Sequence, residues 1–247
     1  EAQEENLIKE KKPIQRKLGL LNLASGEQIV VDSIEAFAFS PTGAYLAMRR
    51  YPPKRDAPEG PAAGETDDAP GATLIVRHLA SGRDTTFGNV GMFAWQDLPK
   101  QGRLLALTIS AEDKTGNGVQ LFDPDTGALR VLDSSASTYA GLAWRKDSAD
   151  LAALRSKADE RREGVTQIAL AWTHLTEPSE AKRFYDPTTD AKFPSGMRTV
   201  AFRRPTWSDD GSIVFLGIAK WNEKPATEKK NTTAVDANGN GAGSLSK

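Results

Sequence analysis

Ala36–Met48 reads AFAFSPTGAYLAM: a short strand closed by Phe39, a polar turn at Ser40-Pro41-Thr42-Gly43, and an apolar strand that resumes by Leu46. The same form recurs as MFAWQDLPKQGRLLAL (Met92–Leu107), GLAWRKDSADLAAL (Gly141–Leu154) and RPTWSDDGSIVFLG (Arg204–Gly217). From Phe39 to Leu46, Trp144 to Leu151 and Trp207 to Val214 the step is seven residues each time, and the second copy has a longer turn, from Trp95 to Leu104. Apolar residues within these pieces are spaced by two, the period of a strand, which excludes a solenoid of helix pairs.

Working outward, each copy is preceded by a strand, a polar residue and a turn: LLNLASGEQIVV (Leu20–Val31), IVRHLASGRDTTF (Ile75–Phe87), QLFDPDTGALRVL (Gln120–Leu132) and a degraded LAWTHLTEPSEAKRF (Leu170–Phe184). The turn dipeptides are Ser25-Gly26, Ser81-Gly82 and Thr126-Gly127. Glycine at the second place supplies the positive φ that a tight hairpin needs. Asn22, His78, Asp123 and His174 occupy one repeat position ahead of these turns. Such a residue is expected to bond turn amides, which makes both histidines strand-end residues rather than catalysts or metal ligands.

Alternating the two elements gives four short strands per unit. Anchored on the aromatic residue, the units recur at 56, 49 and 63 residues. Blades of a β-propeller take roughly 40–50 residues in four antiparallel strands. The expected fold is therefore all-β, a β-propeller of about four blades, either incomplete or closed as a four-bladed ring. Closure would join an outer hairpin at Leu18–Val31 to an inner one at Arg203–Gly217. Phe39, Trp95, Trp144 and Trp207 are expected to be packing residues between blades. Residues 1–17 read as a charged lead-in, 18–219 as blades, 51–72 as a Pro/Ala/Gly/Asp-rich loop insertion, and 220–247 as a flexible linker or loop. The first residue is Glu1, not Met, so an upstream piece is expected to be missing.

Composition narrows the function. Lys and Arg number 32 against 33 Asp and Glu, which gives no electrostatic reason to expect nucleic acid or an anionic membrane as partner. With no cysteine, disulfides, thiolate metal sites and a Cys nucleophile are excluded. No apolar run approaches the ~20 residues of a spanning helix. A Gly-x-Ser-x-Gly elbow is absent: Ser208 sits in Trp207-Ser208-Asp209-Asp210-Gly211, a hairpin turn, and Ser244 in Gly243-Ser244-Leu245-Ser246-Lys247 lacks the closing Gly. Asp236-Ala237-Asn238-Gly239-Asn240-Gly241 matches the first half of a calcium loop, but the twelfth position is Lys247 instead of a bidentate acid. No phosphate-cradling glycine loop occurs. Glu65-Thr66-Asp67-Asp68 and Arg161-Arg162 read as solvated loop charges. The reading assigns no catalytic, cofactor-binding or metal-binding residue to the chain, and no cofactor.

Leu20–Arg49, with its LASG turn followed by FAFSPTGAYLAM, resembles the propeller of bacterial serine peptidases of the prolyl oligopeptidase and acylaminoacyl-peptidase group. FPSGMRTVAFRRPTWSDDGSIVFLGIA (Phe193–Ala219) is similar to a bacterial branch of that group, while the Ser-Pro-x-Gly and Ser-Asp-Asp-Gly turns are shared with WD40-like and TolB-like propellers. The resemblance implies a propeller joined to an α/β-hydrolase domain with a Ser-Asp-His triad. In that arrangement the propeller shields the active site and admits short peptides. No position here matches the hydrolase motifs, so the expectation is a non-catalytic propeller portion whose partners are a downstream hydrolase domain and short peptides. Export to the periplasm or beyond is expected if a signal peptide was removed upstream. The alternative is a free-standing propeller that serves as a protein- or ligand-binding platform.

Overall fold

A computed structural model of the chain describes residues 15–53 and 71–223. β1 (Leu18–Leu21) and β2 (Gln28–Val31) form a hairpin that pairs with no other strand among the described residues. β3 (Ile34–Phe39), β4 (Tyr45–Arg50), β5 (Ala72–His78) and the first part of β6 (Asp84–Trp95) make blade 1. β6 then bends at Gly88-Asn89, where Asn89 has φ 55°, and its second part becomes the inner strand of blade 2. Blade 2 continues with β7 (Leu105–Ile109), β8 (Gly118–Asp123) and β9 (Ala128–Ser134). Next come β10 (Tyr139–Trp144), β11 (Leu151–Ala158), a two-residue β12 (Arg162–Glu163), β13 (Val165–Thr173) and β14 (Ala181–Tyr185). Blade 3 is the antiparallel sheet β10-β11-β13-β14.

Blade 4 is a half blade. Its inner strand is broken into β15 (Met197–Thr199) and β16 (Thr206–Trp207), and its second strand into β17 (Val214–Phe215) and β18 (Ile218–Lys220). β16 pairs with β17, and β15 with β18. β19 (Asn222–Glu223) pairs back onto β12. Among the described residues no outer pair follows. The described residues thus form an open β-propeller: a leading outer hairpin, three full blades and a trailing inner hairpin. Among the described residues the closed four-bladed ring considered from the sequence is not formed: β1 pairs there with β2, and no described strand bridges it to β17 or β18.

The seven-residue spacings become cross-strand pairs: Phe39 opposite Leu46, Trp144 opposite Leu151, and Trp207 opposite Val214. In blade 2 the pair is Trp95 with Leu105, not Leu104. Strand side chains alternate between faces, so Leu105 looks back toward blade 1 and Leu104 forward toward blade 3. The turn glycines behave as their sequence context demands. Gly26, Gly82 and Gly127 have φ of 73°, 69° and 74°. Each donates its N–H to the carbonyl of Asn22, His78 or Asp123, at 2.8, 2.9 and 2.8 Å.

The hydrophobic core is divided among the seams between blades. Leu46, Met48 and Ile75 pack against Leu18, Leu20 and Val31 of the leading hairpin. Tyr45, Ala47, Leu74 and Val76 meet Trp95, Leu105, Leu107 and Phe122 in the next seam. Leu104, Ala106, Val119 and Leu121 meet Trp144, Leu151, Leu170 and Trp172 in the third. Each fully buried Leu contributes about 1.5–3 kcal/mol, so these seams carry the stability of the repeat. Gly141 lies inside β10 with φ 67°, and a Cβ there would fall 2.8 Å from Cδ of Pro205 in blade 4. Blade 4 therefore comes close to blade 3 at a point only glycine permits.

Two of the four aromatic packing residues need correction. Trp95 and Trp144 are buried, whereas Trp207 is half-buried and Phe39 is 52% exposed. Phe39 shares the face of its partner Leu46, which looks away from blade 2, and among the described residues only the two-stranded β1–β2 unit stands on that side.

Candidate functional site at the ends of the inner strands

The segments that follow the inner strands of blades 2, 3 and 4 converge on a cleft of about 850 Å³. They are Trp95-Gln96-Asp97, Trp144–Asp147 and Trp207-Ser208-Asp209, with Pro41 from the first blade and Arg204-Pro205 from the last. The walls are set by a repeated bond. Trp95 Nε1–H donates to the carbonyl of Ala38 at 3.0 Å, Trp144 to Ala94 at 2.9 Å, and Trp207 to Ala143 at 2.9 Å. Each tryptophan thus reaches the residue before the aromatic of the preceding blade. Burial without a partner would cost the indole N–H about 1–3 kcal/mol, so the repeated acceptor fixes how far each blade turns relative to the last.

Polar bonds tie the loops across blades. The Asp147 amide, at φ 53°, donates to the Asp97 carbonyl at 2.7 Å. Gln96 is buried and its Nε2 donates to the Ser148 carbonyl at 3.1 Å. Arg145 donates from Nε to Asp150 at 2.7 Å and from Nη1 to the Asp209 carbonyl at 3.1 Å. Asp150 is itself buried and accepts the His174 amide at 2.8 Å. Around this frame Asp97, Lys146, Asp147, Arg204 and Asp209 are exposed, so the rim carries both signs of charge.

Chemically the cleft offers walls and charges. Ser208 donates its hydroxyl to Asp210 at 2.6 Å and accepts the Ile213 amide at 3.0 Å, closing its own turn. Hydrogen bonds from Ser208, the Ser212 amide and the Ser212 hydroxyl hold the Asp210 carboxyl down at about 2. No histidine lines the cleft. His78 accepts the Ser81 amide at 3.2 Å, as expected of its repeat position, and Asn22 and Asp123 accept the Ala24 and Asp125 amides at 2.9 and 3.1 Å. His174 departs from the pattern: it sits at φ 54°, with Nδ1 3.7 Å from the Glu177 carboxylate, because its turn lacks the Ser-Gly or Thr-Gly pair.

The only strongly perturbed tyrosine lies elsewhere, at the seam of blades 2 and 3. Asp133, with its side chain 8% exposed, accepts from Tyr139 at 2.7 Å, Arg155 at 3.0 Å and Lys182 at 2.5 Å. Burial pushes the Tyr139 hydroxyl up to about 12, opposed by the bond from Ser135 and reinforced by Asp133. These residues come from β9, β10, β11 and β14, and no local motif links them. Arg162, read from the sequence as a solvated charge, stands 5.2 Å from the Trp221 ring, with Arg198 at 5.7 Å. Ser244, the 236–241 stretch and Glu65–Asp68 lie outside the described residues. Among the described residues no group of three or more His, Asp or Glu is placed to hold a metal, and no helix is long and apolar enough to cross a membrane.

Fold and cleft together define the class: an open β-propeller with a mixed-charge cleft at the ends of its inner strands. No family model matches the chain, and neither does any curated protein. Among solved structures it is similar to the β-propeller domain of the Trilobed protease from Pyrococcus furiosus, at 12% identity over 77% of this chain and 52% of that one, TM-score 0.44. It is also similar to TolB from Acinetobacter baumannii, at 14% identity over 83% and 46%, TM-score 0.43. A third is the acylaminoacyl peptidase of Pyrococcus horikoshii, at 14% identity over 71% and 29%, TM-score 0.37. The chain spans about half the length of the first two and less than a third of the last.

Proposed function

We infer that this propeller is a non-catalytic shielding module of a serine peptidase of the prolyl oligopeptidase type, forming part of the wall through which short peptides reach the active site. The observation that supports the reading is the cleft itself. Inner strands keyed together by tryptophan bonds surround an opening whose rim is charged and whose one turn serine is committed to Asp210. Mounted over an active site, such a wall would select by size and exclude bulk water from it. The repeat turns and the 193–219 stretch, which resemble the propellers of that group, favour the same reading.

The test has two parts. The coding sequence downstream of Lys247 is expected to contain an α/β-hydrolase segment with Gly-x-Ser-x-Gly; a stop codon there favours the binding platform instead. The purified chain alone is expected to leave peptidyl p-nitroanilides intact. Turnover abolished by a serine-directed inhibitor would overturn the non-catalytic assignment.

A further inference from the structure

A glycine stands at the head of the third strand in each full blade: Gly71 next to β5, Gly118 in β8 and Gly164 next to β13. In blade 2 that glycine is forced, because a Cβ on Gly118 would fall 2.3 Å from the carbonyl oxygen of Asp133 in the paired strand β9. The residue ahead of it is Pro70 in blade 1, Glu163 in blade 3 and Asn117 in blade 2. Asn117 is fixed by its surroundings as well. It is fully buried; its Oδ1 accepts the Ala111 amide at 2.7 Å and its Nδ2 donates to the Ser137 carbonyl at 3.1 Å. Its own carbonyl accepts the Ser135 amide and the Ser134 hydroxyl, both at 3.1 Å. One residue thus ties the β7–β8 loop to the crossover from blade 2 into blade 3, and a carboxamide meets the demand to accept and donate at once.

These two demands place asparagine directly before glycine, the pair most prone to lose its side-chain amide. In an open chain the Gly118 nitrogen, which no side chain screens, reaches the carboxamide carbon of Asn117. The new N–C bond closes a five-membered imide and ammonia leaves; water then opens the ring to aspartate or isoaspartate. The fold blocks each step. Both ends of the carboxamide are bonded, Gly118 lies in the ladder between Ile109 and Ser134, and Asn117 has no surface exposed to water.

We propose that Asn117 is a latent deamidation site, silent while the corner between blades 2 and 3 is closed, that turns an opening of this corner into a permanent change. After conversion the corner cannot close as before. A carboxylate at position 117 still accepts the Ala111 amide, but its second oxygen meets the Ser137 carbonyl, acceptor against acceptor, with the charge cut off from water. Isoaspartate lengthens the main chain by a methylene ahead of β8 and disturbs its register with β7 and β9. The other asparagines among the described residues have bulkier followers: Asn22 precedes Leu23, Asn89 precedes Val90 and Asn222 precedes Glu223. The inference goes beyond the shielding reading and does not depend on it.

The intact protein held in mildly alkaline buffer provides the test. Peptide mapping by mass spectrometry separates residue 117 from the same dipeptide at Asn238-Gly239 and Asn240-Gly241. Conversion at 117 is expected to be slower by about a hundredfold or more than in the free peptide 112–122, and to approach the peptide's rate in urea, since the corner must open first. Asn117→Asp is expected to lower the urea midpoint at neutral pH, with the gap to the parent narrowing in acid, where a protonated carboxyl again donates to Ser137. The parent held in urea until partly converted, then diluted, is expected to give a refolded fraction depleted of molecules converted at 117, a measurement that stands even if the variant fails to fold. Conversion in the folded protein at the peptide's rate, or none in urea, would overturn the proposal. Equal shares of converted chains before and after refolding, or an Asn117→Asp protein as stable as the parent, would overturn it too.

Discussion

Trp144 makes two separable contributions. Its ring fills the seam of blades 2 and 3, and its N–H serves the Ala94 carbonyl. Trp144→Ala is expected to cost about 3–5 kcal/mol through the cavity. Trp144→Phe keeps most of the ring but removes the indole hydrogen bond to Ala94, for about 0.5–1.5 kcal/mol. Thermal or urea unfolding of the two variants checks the order, and equal losses would deny the bond any role. Gly141 is the second residue whose identity is forced. Gly141→Ala must hold a side chain at φ 67° against Pro205, and a loss of about 1–3 kcal/mol is expected by the same measurement. The aromatic positions were legible as repeats because a hairpin with a fixed turn length repeats its pairing in sequence. The exposure of Phe39 was not legible, since burial depends on which element stands opposite and that is no property of the strand itself.

Among elements, β9, β10, β11 and β14 are joined at Asp133. Burial pushes its carboxyl up, but the bonds from Lys182 and Tyr139 and the charges of Lys182 and Arg155 outweigh that and hold it below the usual carboxylate range. A depressed folded-state value gives stability that is complete above the ordinary carboxylate value near 3.8 and lost as pH falls through the lower folded value. Asp133→Asn is therefore expected to lower stability at pH 7, on the order of 1–3 kcal/mol, and to flatten the acid limb of the stability–pH curve. Denaturant midpoints from pH 7 down to 2 measure both effects; parallel curves for the two proteins would remove Asp133 from the acid response. Nothing in the sequence announced this network, because its members are separated by up to 49 residues and meet only when two blades stack. The turn geometry, by contrast, was legible at Gly26, Gly82 and Gly127, where a dihedral demand and a residue type coincide.

Across the whole molecule stability is uneven. The seams on either side of blade 2 hold the two larger core clusters, while the inner pair of blade 4 is broken into two-residue and three-residue strands. Amide exchange is expected to be slowest in β7 and β11 and fastest in Val214–Lys220. Fast exchange in β11 would contradict the seam-centred core. The break between β15 and β16 was unreadable beforehand, because Arg204–Gly217 carries the repeat faithfully while the residues ahead of it do not. The cleft was legible only in part: the aromatic ends of the strands were evident, but the rim charges come from loops whose meeting depends on blade order.

The indole bonds that run from Trp95 to Ala38, Trp144 to Ala94 and Trp207 to Ala143 all point the same way along the chain. Blades 2 and 3 each carry both halves of the coupling, a donor for the predecessor and an acceptor for the successor. Duplicating or deleting one whole repeat would therefore hand every donor a fresh acceptor, whereas gaining or losing half of one would break the sequence of matches. The architecture can change length only in integral steps, like a chain of identical links, and its gene inherits a counting rule from a single nitrogen.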